Sequence, residues 1–145
     1  MEYIQEIEGQ VGQSKNVSKE IRKKIRLGKL DEAYRLTAQY PNDLIIMSQR
    51  CTILIKQGRL EEAKIIGKQF EDDPIIQSQM VTIAIQEGDI ERANAIGAKF
   101  ESNEAIQSQM ITIAIQEGRL EDAKAIGEKF QDNPMIQNQM ITIAI

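Results

Sequence analysis

The chain has 145 residues and a formal net charge of −4, with no histidine and a single cysteine, Cys51. Imidazole acid–base catalysis and histidine-liganded metal sites are therefore excluded, and one thiol makes neither an intrachain disulfide nor a thiolate zinc cluster. No apolar run reaches the ~18 residues that cross a bilayer, and the start, EYIQEIEGQ, lacks the basic and apolar stretches of a signal peptide. A cytoplasmic protein is the expectation.

In residues 1–13, Tyr3, Ile4, Ile7 and Val11 follow a weak helical spacing. This predicts a short irregular helix, with a loop from Gly9 to Asn16. Val17 to Leu27 then reads as a helix with a narrow apolar stripe of Val17, Ile21, Ile25 and Leu27. Its surroundings are basic: Lys15, Lys19, Arg22, Lys23, Lys24, Arg26 and Lys29 stand against Glu20 alone. That segment carries +6 and the remainder of the chain −10. A helix that is apolar on one side and charged on the other suits the end of a stacked array. Residues 1–28 are thus an irregular N-terminal segment and a basic capping helix.

From residue 29 the text repeats. Gly28, Gly58, Gly88 and Gly118 stand 30 residues apart, and AIQSQMITIAIQEG (105–118) nearly copies IIQSQMVTIAIQEG (75–88). A fixed period of this length with two helix-like halves points to an all-α solenoid of helix-turn-helix units. The units are 29–58, 59–88, 89–118 and a partial 119–145. Each begins with a helix here called B, predicted over Leu30–Tyr40, Leu60–Phe70, Ile90–Phe100 and Leu120–Phe130. In the second, Leu60, Ala63, Ile66, Gly67 and Phe70 share one arc, leaving a single wet face. A second helix, A, follows Asp43, Asp73, Asn103 and Asn133, each able to accept a backbone N–H as a cap. Pro74 and Pro134 fit the first helical position, where a missing N–H does no harm. The complete A helices stop at Gly58, Gly88 and Gly118, residues that accept positive φ.

Helix A is apolar over more than half its circumference, so it should be packed on several sides. Its polar strip comprises Ser48, Gln49 and Thr52; Ser78, Gln79 and Thr82; Ser108, Gln109 and Thr112; and Asn138, Gln139 and Thr142. Gln77, Gln107 and Gln137 interrupt the apolar arc. They are expected to be partly buried amides that bond one another or loop backbone, since an unpaired buried amide costs ~1–3 kcal/mol. Met47 holds that position in the first unit. Gly67, Gly97 and Gly127 lie inside helix B, where glycine costs about 1 kcal/mol against alanine. A cost repeated three times suggests close approach of a neighbouring A helix.

The order of A helix, turn glycine and an alanine five residues on resembles tetratricopeptide repeats. The resemblance rests on Pro74–Glu87 before Gly88, on GRLEDA at Gly118–Ala123, and on Met80 and Ala93 at two of the family's packing positions. It covers about residues 30–145. The units are four residues short of the usual ~34. Gln77, Gln107 and Gln137 replace a preferred Trp, and Gly67, Gly97 and Gly127 a preferred large residue. Pentatricopeptide repeats share the logic and match less well. The resemblance implies a right-handed solenoid with the polar strip lining a concave groove.

No catalytic or cofactor-binding constellation is visible: there is no Walker loop and no GxGxxG. Carboxylates sit on helix B wet faces, and Cys51 aligns with Val81, Ile111 and Ile141 as a buried apolar residue. The leading functional reading is a non-enzymatic module that binds a protein or peptide through the groove. The alternatives are a nucleic-acid binder using Lys19, Arg22, Lys23, Lys24 and Arg26, or a fragment of a longer repeat protein. Pro134 to Ile145 is an A helix with no B helix after it. Met135, Ile136, Met140, Ile141 and Ile145 are accordingly expected to lack cover and to pair two copies as a homodimer.

Overall fold

A computed structural model describes residues 2–144, with side-chain surroundings for residues 13–143. All the regular structure among these residues is helical: α1 (Glu2–Arg26), α2 (Leu30–Thr37), α3 (Leu44–Lys56), α4 (Leu60–Gln69), α5 (Pro74–Glu87), α6 (Ile90–Lys99), α7 (Glu104–Gln116), α8 (Leu120–Lys129) and α9 (Pro134–Ala144). None of the described helices is long and apolar enough to cross a membrane. The chain forms two compact units, Met1–Gln79 and Met80–Ile145.

The start and stop signals act as expected. Asp43, Asp73, Asn103 and Asn133 accept from the backbone N–H of Ile46, Ile76, Ile106 and Ile136 at 2.9–3.0 Å. Gly28, Gly58, Gly88 and Gly118 adopt φ of 73–77°. At each of them the glycine N–H reaches back three residues and the following N–H five, for example Arg59 N to Leu54 O at 2.8 Å. This double closure supplies donors to the last carbonyls and lets the next helix begin at once.

Helices α4, α6 and α8 end at Gln69, Lys99 and Lys129, one residue before the expected Phe70, Phe100 and Phe130, and two further boundaries differ more. The expected loop at Gly9–Asn16 is helical, because α1 runs without interruption from Glu2 to Arg26. Gly9 and Gly12 weaken a helix by about 1 kcal/mol each but do not stop one as proline does. Helix α2 ends at Thr37 and not Tyr40: Ala38, Gln39 and Tyr40 close it with three-residue turn bonds, and Pro41 disfavours helical geometry at Tyr40 itself.

In the first unit α1 packs on α2 and α3, and α3 on α2 and α4. Ile21, Ala33, Ile46 and Ile53 form its core, flanked by Val17, Ile25, Leu30 and Tyr34. In the second unit α7 packs on α6, α8 and α9. There Val81, Ala84, Ala93, Ile106 and Ile113 form one cluster and Ile111, Ala114, Ala123 and Ile136 another. The A-type helix α7 buries Ile106, Gln107, Ser108, Met110, Ile111, Ile113 and Ala114, whereas the B-type α8 buries only Ala123 and Gly127. Ala33, Ala63, Ala93 and Ala123 are all fully buried, a small residue at each place where helix B lies against its neighbours.

The interrupting glutamines bond backbone and not one another. The amide of Gln77 donates to Gly67 O at 2.9 Å and Phe70 O at 3.1 Å; Gln107 and Gln137 repeat this with Gly97 and Phe100 and with Gly127 and Phe130. Each glutamine thus adds a donor to carbonyls at the end of the B helix before it, where regular intrahelical bonds run out; Phe70, Phe100 and Phe130 also accept from the N–H of Asp73, Asn103 and Asn133. Gly97 and Gly127 allow close approach as expected. A Cβ built on Gly97 would stand 2.8 Å from Met110 Cγ, and one on Gly127 2.7 Å from Met140 Cγ.

Gly97→Leu should therefore destabilise the protein by roughly 1–3 kcal/mol, the usual cost of overpacking, despite the gain in helix propensity. Urea unfolding reads this directly. Unchanged or raised stability would mean that Met110 has room to swing aside and that the glycine is incidental.

Candidate functional site

The residues of the predicted strip lie along one side of the A helices, and much of their hydrogen bonding is inter-helical. In the first unit Gln49 is buried, and its amide donates to Ser18 O of α1 at 3.0 Å. Gln79 donates to Ser48 O at 2.8 Å and Thr52 Oγ1 at 2.7 Å, both on α3. Thr52 Oγ1 donates in turn to Ser48 O of its own helix.

The second unit has the same rungs. Gln109 donates to Thr82 Oγ1 at 3.1 Å. Gln139 donates to Ser108 O and Thr112 Oγ1, and its carbonyl accepts from Ser108 Oγ at 2.9 Å. Thr112 bonds back to Ser108 O and Thr142 to Asn138 O. The Gln49 and Gln79 carbonyl oxygens have no donor. At Gln79, Ser48 Oγ donates to Ile45 O instead; turned as Ser108 is, it would complete that rung.

The polar groups of the strip that a partner could reach are Thr112, Asn138 and Thr142, which are exposed, and the half-buried Ser48, Thr52, Ser78 and Thr82. These groups are neutral. Beside them lie exposed apolar residues, of which the sequence reading passed over Ile45 and Ile75 and assigned Met135 to self-association. Ile45 is 60% exposed, Ile75 58% and Met135 53%. Each stands three residues before the Ser or Asn of the strip and so on the same helix face. The signal was available: positions 45, 75, 105 and 135 read Ile, Ile, Ala and Met in the 30-residue register.

The expected self-association residues divide. Ile136 is completely buried and Met140 is packed against the same cluster. The expectation that the chain leaves them uncovered is corrected: α7 and α8 already cover that side of α9. Met135 and Ile141 are exposed, the latter by 60%. Ile145 lies outside the described residues.

The basic residues do not form one cluster. Lys24 is held by Glu32 at 2.9 Å and Glu20 at 3.6 Å. The hydrogen bond to Glu32 raises the Lys24 pKa and lowers that of Glu32. Lys19 and Arg22 line a cleft of about 520 Å³ with Lys15, Ser18, Asp43 and Ile45. Lys23 and Arg26 are exposed. Among the described residues no group of three or more His, Cys, Asp or Glu side chains is arranged to hold a metal ion.

Compared with known proteins, the chain matches no family model, no curated protein and no solved structure. Its reading rests on its own geometry.

Cys51 is fully enclosed, and burial pushes its thiol up to about 12 from an ordinary 9.0. At neutral pH it is a protonated apolar filler and not a nucleophile. The folded pKa lies above the unfolded one. Its contribution to stability is thus complete below pH 9 and is lost as pH rises towards 12, at up to roughly 1.4 kcal/mol per pH unit. Unfolding free energies measured from pH 7 to 11 should fall more steeply for the wild type than for Cys51→Val, the residue found at position 81. Parallel curves would show that the thiol ionises as readily folded as unfolded.

Proposed function

We propose that the protein is a non-enzymatic protein–protein interaction module, a scaffold or adaptor. We take it to be a right-handed α-α solenoid of tetratricopeptide-like 30-residue repeats. The register of the rungs carries this reading. Gln49, Gln79 and Gln139 each bond the residue 31 positions earlier, and Gln79, Gln109 and Gln139 the residue 27 earlier. Within each unit, bonds repeated at one offset tie an A helix to the A-type helix before it, a regularity that supports a solenoid reading.

The composition of that face favours protein over nucleic acid. Ile45, Ile75 and Met135 add exposed apolar area to a neutral polar strip, a combination suited to a protein partner. Phosphate recognition needs clustered cations; Lys24 is engaged by two carboxylates, and the cleft lined by Lys15, Lys19 and Arg22 also holds the Asp43 carboxylate and Ile45.

The test is affinity capture with the wild type and with Ile45→Lys/Ile75→Lys, followed by direct titration of the captured protein. Both substitutions are at exposed positions and should leave the helical circular dichroism unchanged. A partner bound by the wild type and weakened at least about tenfold by the pair supports the reading, as loss of two buried anchors predicts. A partner indifferent to the pair, or capture of nucleic acid alone in a salt-sensitive manner, replaces it.

Self-association through the C-terminal helix is part of the same proposal, now carried by Met135 and Ile141 with Ile145. Light scattering at micromolar concentration should give a dimer that Ile141→Lys converts to monomer with its helices intact. A monomeric wild type would end this part of the reading and leave the groove untouched.

A further inference from the structure

The first repeat departs from the later ones at four positions that meet in space. In the second unit Gly97 faces Met110 and Gly127 faces Met140. The register counterparts in the first repeat are Thr37 and Arg50. Thr37 is buried and accepts from Arg50 Nη1 at 3.3 Å. Met47 stands where Gln107 and Gln137 clamp the preceding helix, and Tyr34 stands where Asn94 and Lys124 occur. At this place a cleft of about 660 Å³ opens beside α2, α3 and α4. That volume lies within the range of small-molecule sites.

The cleft has an apolar body and one fixed cation. Met47, Leu54, Ile66 and Phe70 supply its apolar walls, and Asn42, Gln69 and Glu62 its polar ones, the Glu62 carboxylate being held by Arg59. The Arg50 guanidinium lies 4.3 Å from the centroid of the Tyr34 ring, and its Nη2 donates to the Tyr34 hydroxyl. Both of its hydrogen-bond partners, Tyr34 and Thr37, are neutral. The other cation at that ring, Arg59, stands 4.7 Å from the centroid and is neutralised by Glu62. A guanidinium has five N–H donors, and these two bonds use two of them. The planar fork is thus held in place with donors remaining and no carboxylate from the described residues upon it. Such a fork matches a planar carboxylate better than a compact anion.

We propose that this cleft binds a small apolar carboxylic acid, with its carboxylate on Arg50 and its hydrocarbon body against Met47, Leu54, Ile66 and Phe70. A single fixed cation selects a monoanion and disfavours a phosphate, which needs more charge to offset its desolvation. The site is separate from the polar face of the A helices and stands whether or not that face binds protein.

The experiment titrates the full chain with 1-naphthaleneacetate and with 1-naphthaleneethanol, an uncharged ligand of the same ring and similar length. Backbone amide NMR locates the binding and calorimetry measures it. The acid should shift resonances around Tyr34, Met47 and Arg50 saturably and bind about tenfold tighter than the alcohol, the order expected for a charge-assisted fork. Arg50→Met installs the residue found at 80, 110 and 140, and the two ligands should then bind alike. Thr37→Gly/Arg50→Met rebuilds the complete glycine–methionine pair of the later repeats. It should give the same result and stay folded even if the single variant does not. Equal affinity for acid and alcohol in the wild type, a preference that survives both variants, or no saturable shift at millimolar acid would overturn the proposal.

Discussion

At the ends of the short helices α4, α6 and α8, a glutamine from the following helix donates to backbone carbonyls. The B helices α4, α6 and α8 have ten residues each, below the length at which an isolated helix is stable in water. Their last carbonyls have no partner within the helix. Gln77, Gln107 and Gln137 each reach two of these carbonyls from the first turn of the A helix. The same glycine whose carbonyl takes that bond, Gly97 or Gly127, also gives way to Met110 or Met140. One residue pair therefore fixes both the end of helix B and its distance from helix A. Without the amide, Phe70, Phe100, Phe130 and Gly127 would keep only the backbone turn bonds they already accept, and a side chain on the glycine would force the methionine to move.

The first repeat lacks this arrangement, and its helices meet differently. Met47 cannot clamp, and α2 closes with turn bonds of 3.3–3.4 Å at Ala38, Gln39 and Tyr40. Arg50 replaces the methionine and turns towards Tyr34, and Thr37 fills the space that a glycine leaves elsewhere. These exchanges are consistent with one another, since a guanidinium needs an acceptor where a thioether needs only room. The cleft beside them is a direct result of the missing clamp and the redirected side chain.

Much of this is legible in the amino-acid sequence. Caps at Asp43, Asp73, Asn103 and Asn133, stops at the positive-φ glycines and the reason for the helix B glycines all come from residue type and spacing. The failures have physical causes. Gly9 and Gly12 look like punctuation, but glycine only weakens a helix. Ile136 looks uncovered because no B helix follows α9 in the sequence, yet the preceding α7 and α8 cover that side; a helical wheel likewise shows which residues share a face and not how many neighbours press on the helix. For the same reason the wheel does not separate the glutamines that reach the adjacent A helix from the serines and threonines beside them. It also gives no place to Ile45 and Ile75, whose exposure depends on where the neighbouring helix ends.

The rungs also bear on how the chain finds its fold. Gln109 and Gln139 carry the same donors, and Thr82 and Thr112 offer the same acceptors. A helix that skipped one unit, or came from another copy, would make the same bonds, so these bonds alone do not select the native order. Near-identical repeats thus leave a set of mispaired states close in energy to the native one. Only residues that differ between units break the tie. The Thr37–Arg50–Tyr34 cluster is such a mark, because no later repeat can reproduce it. It makes the first repeat a place where pairing can be counted from.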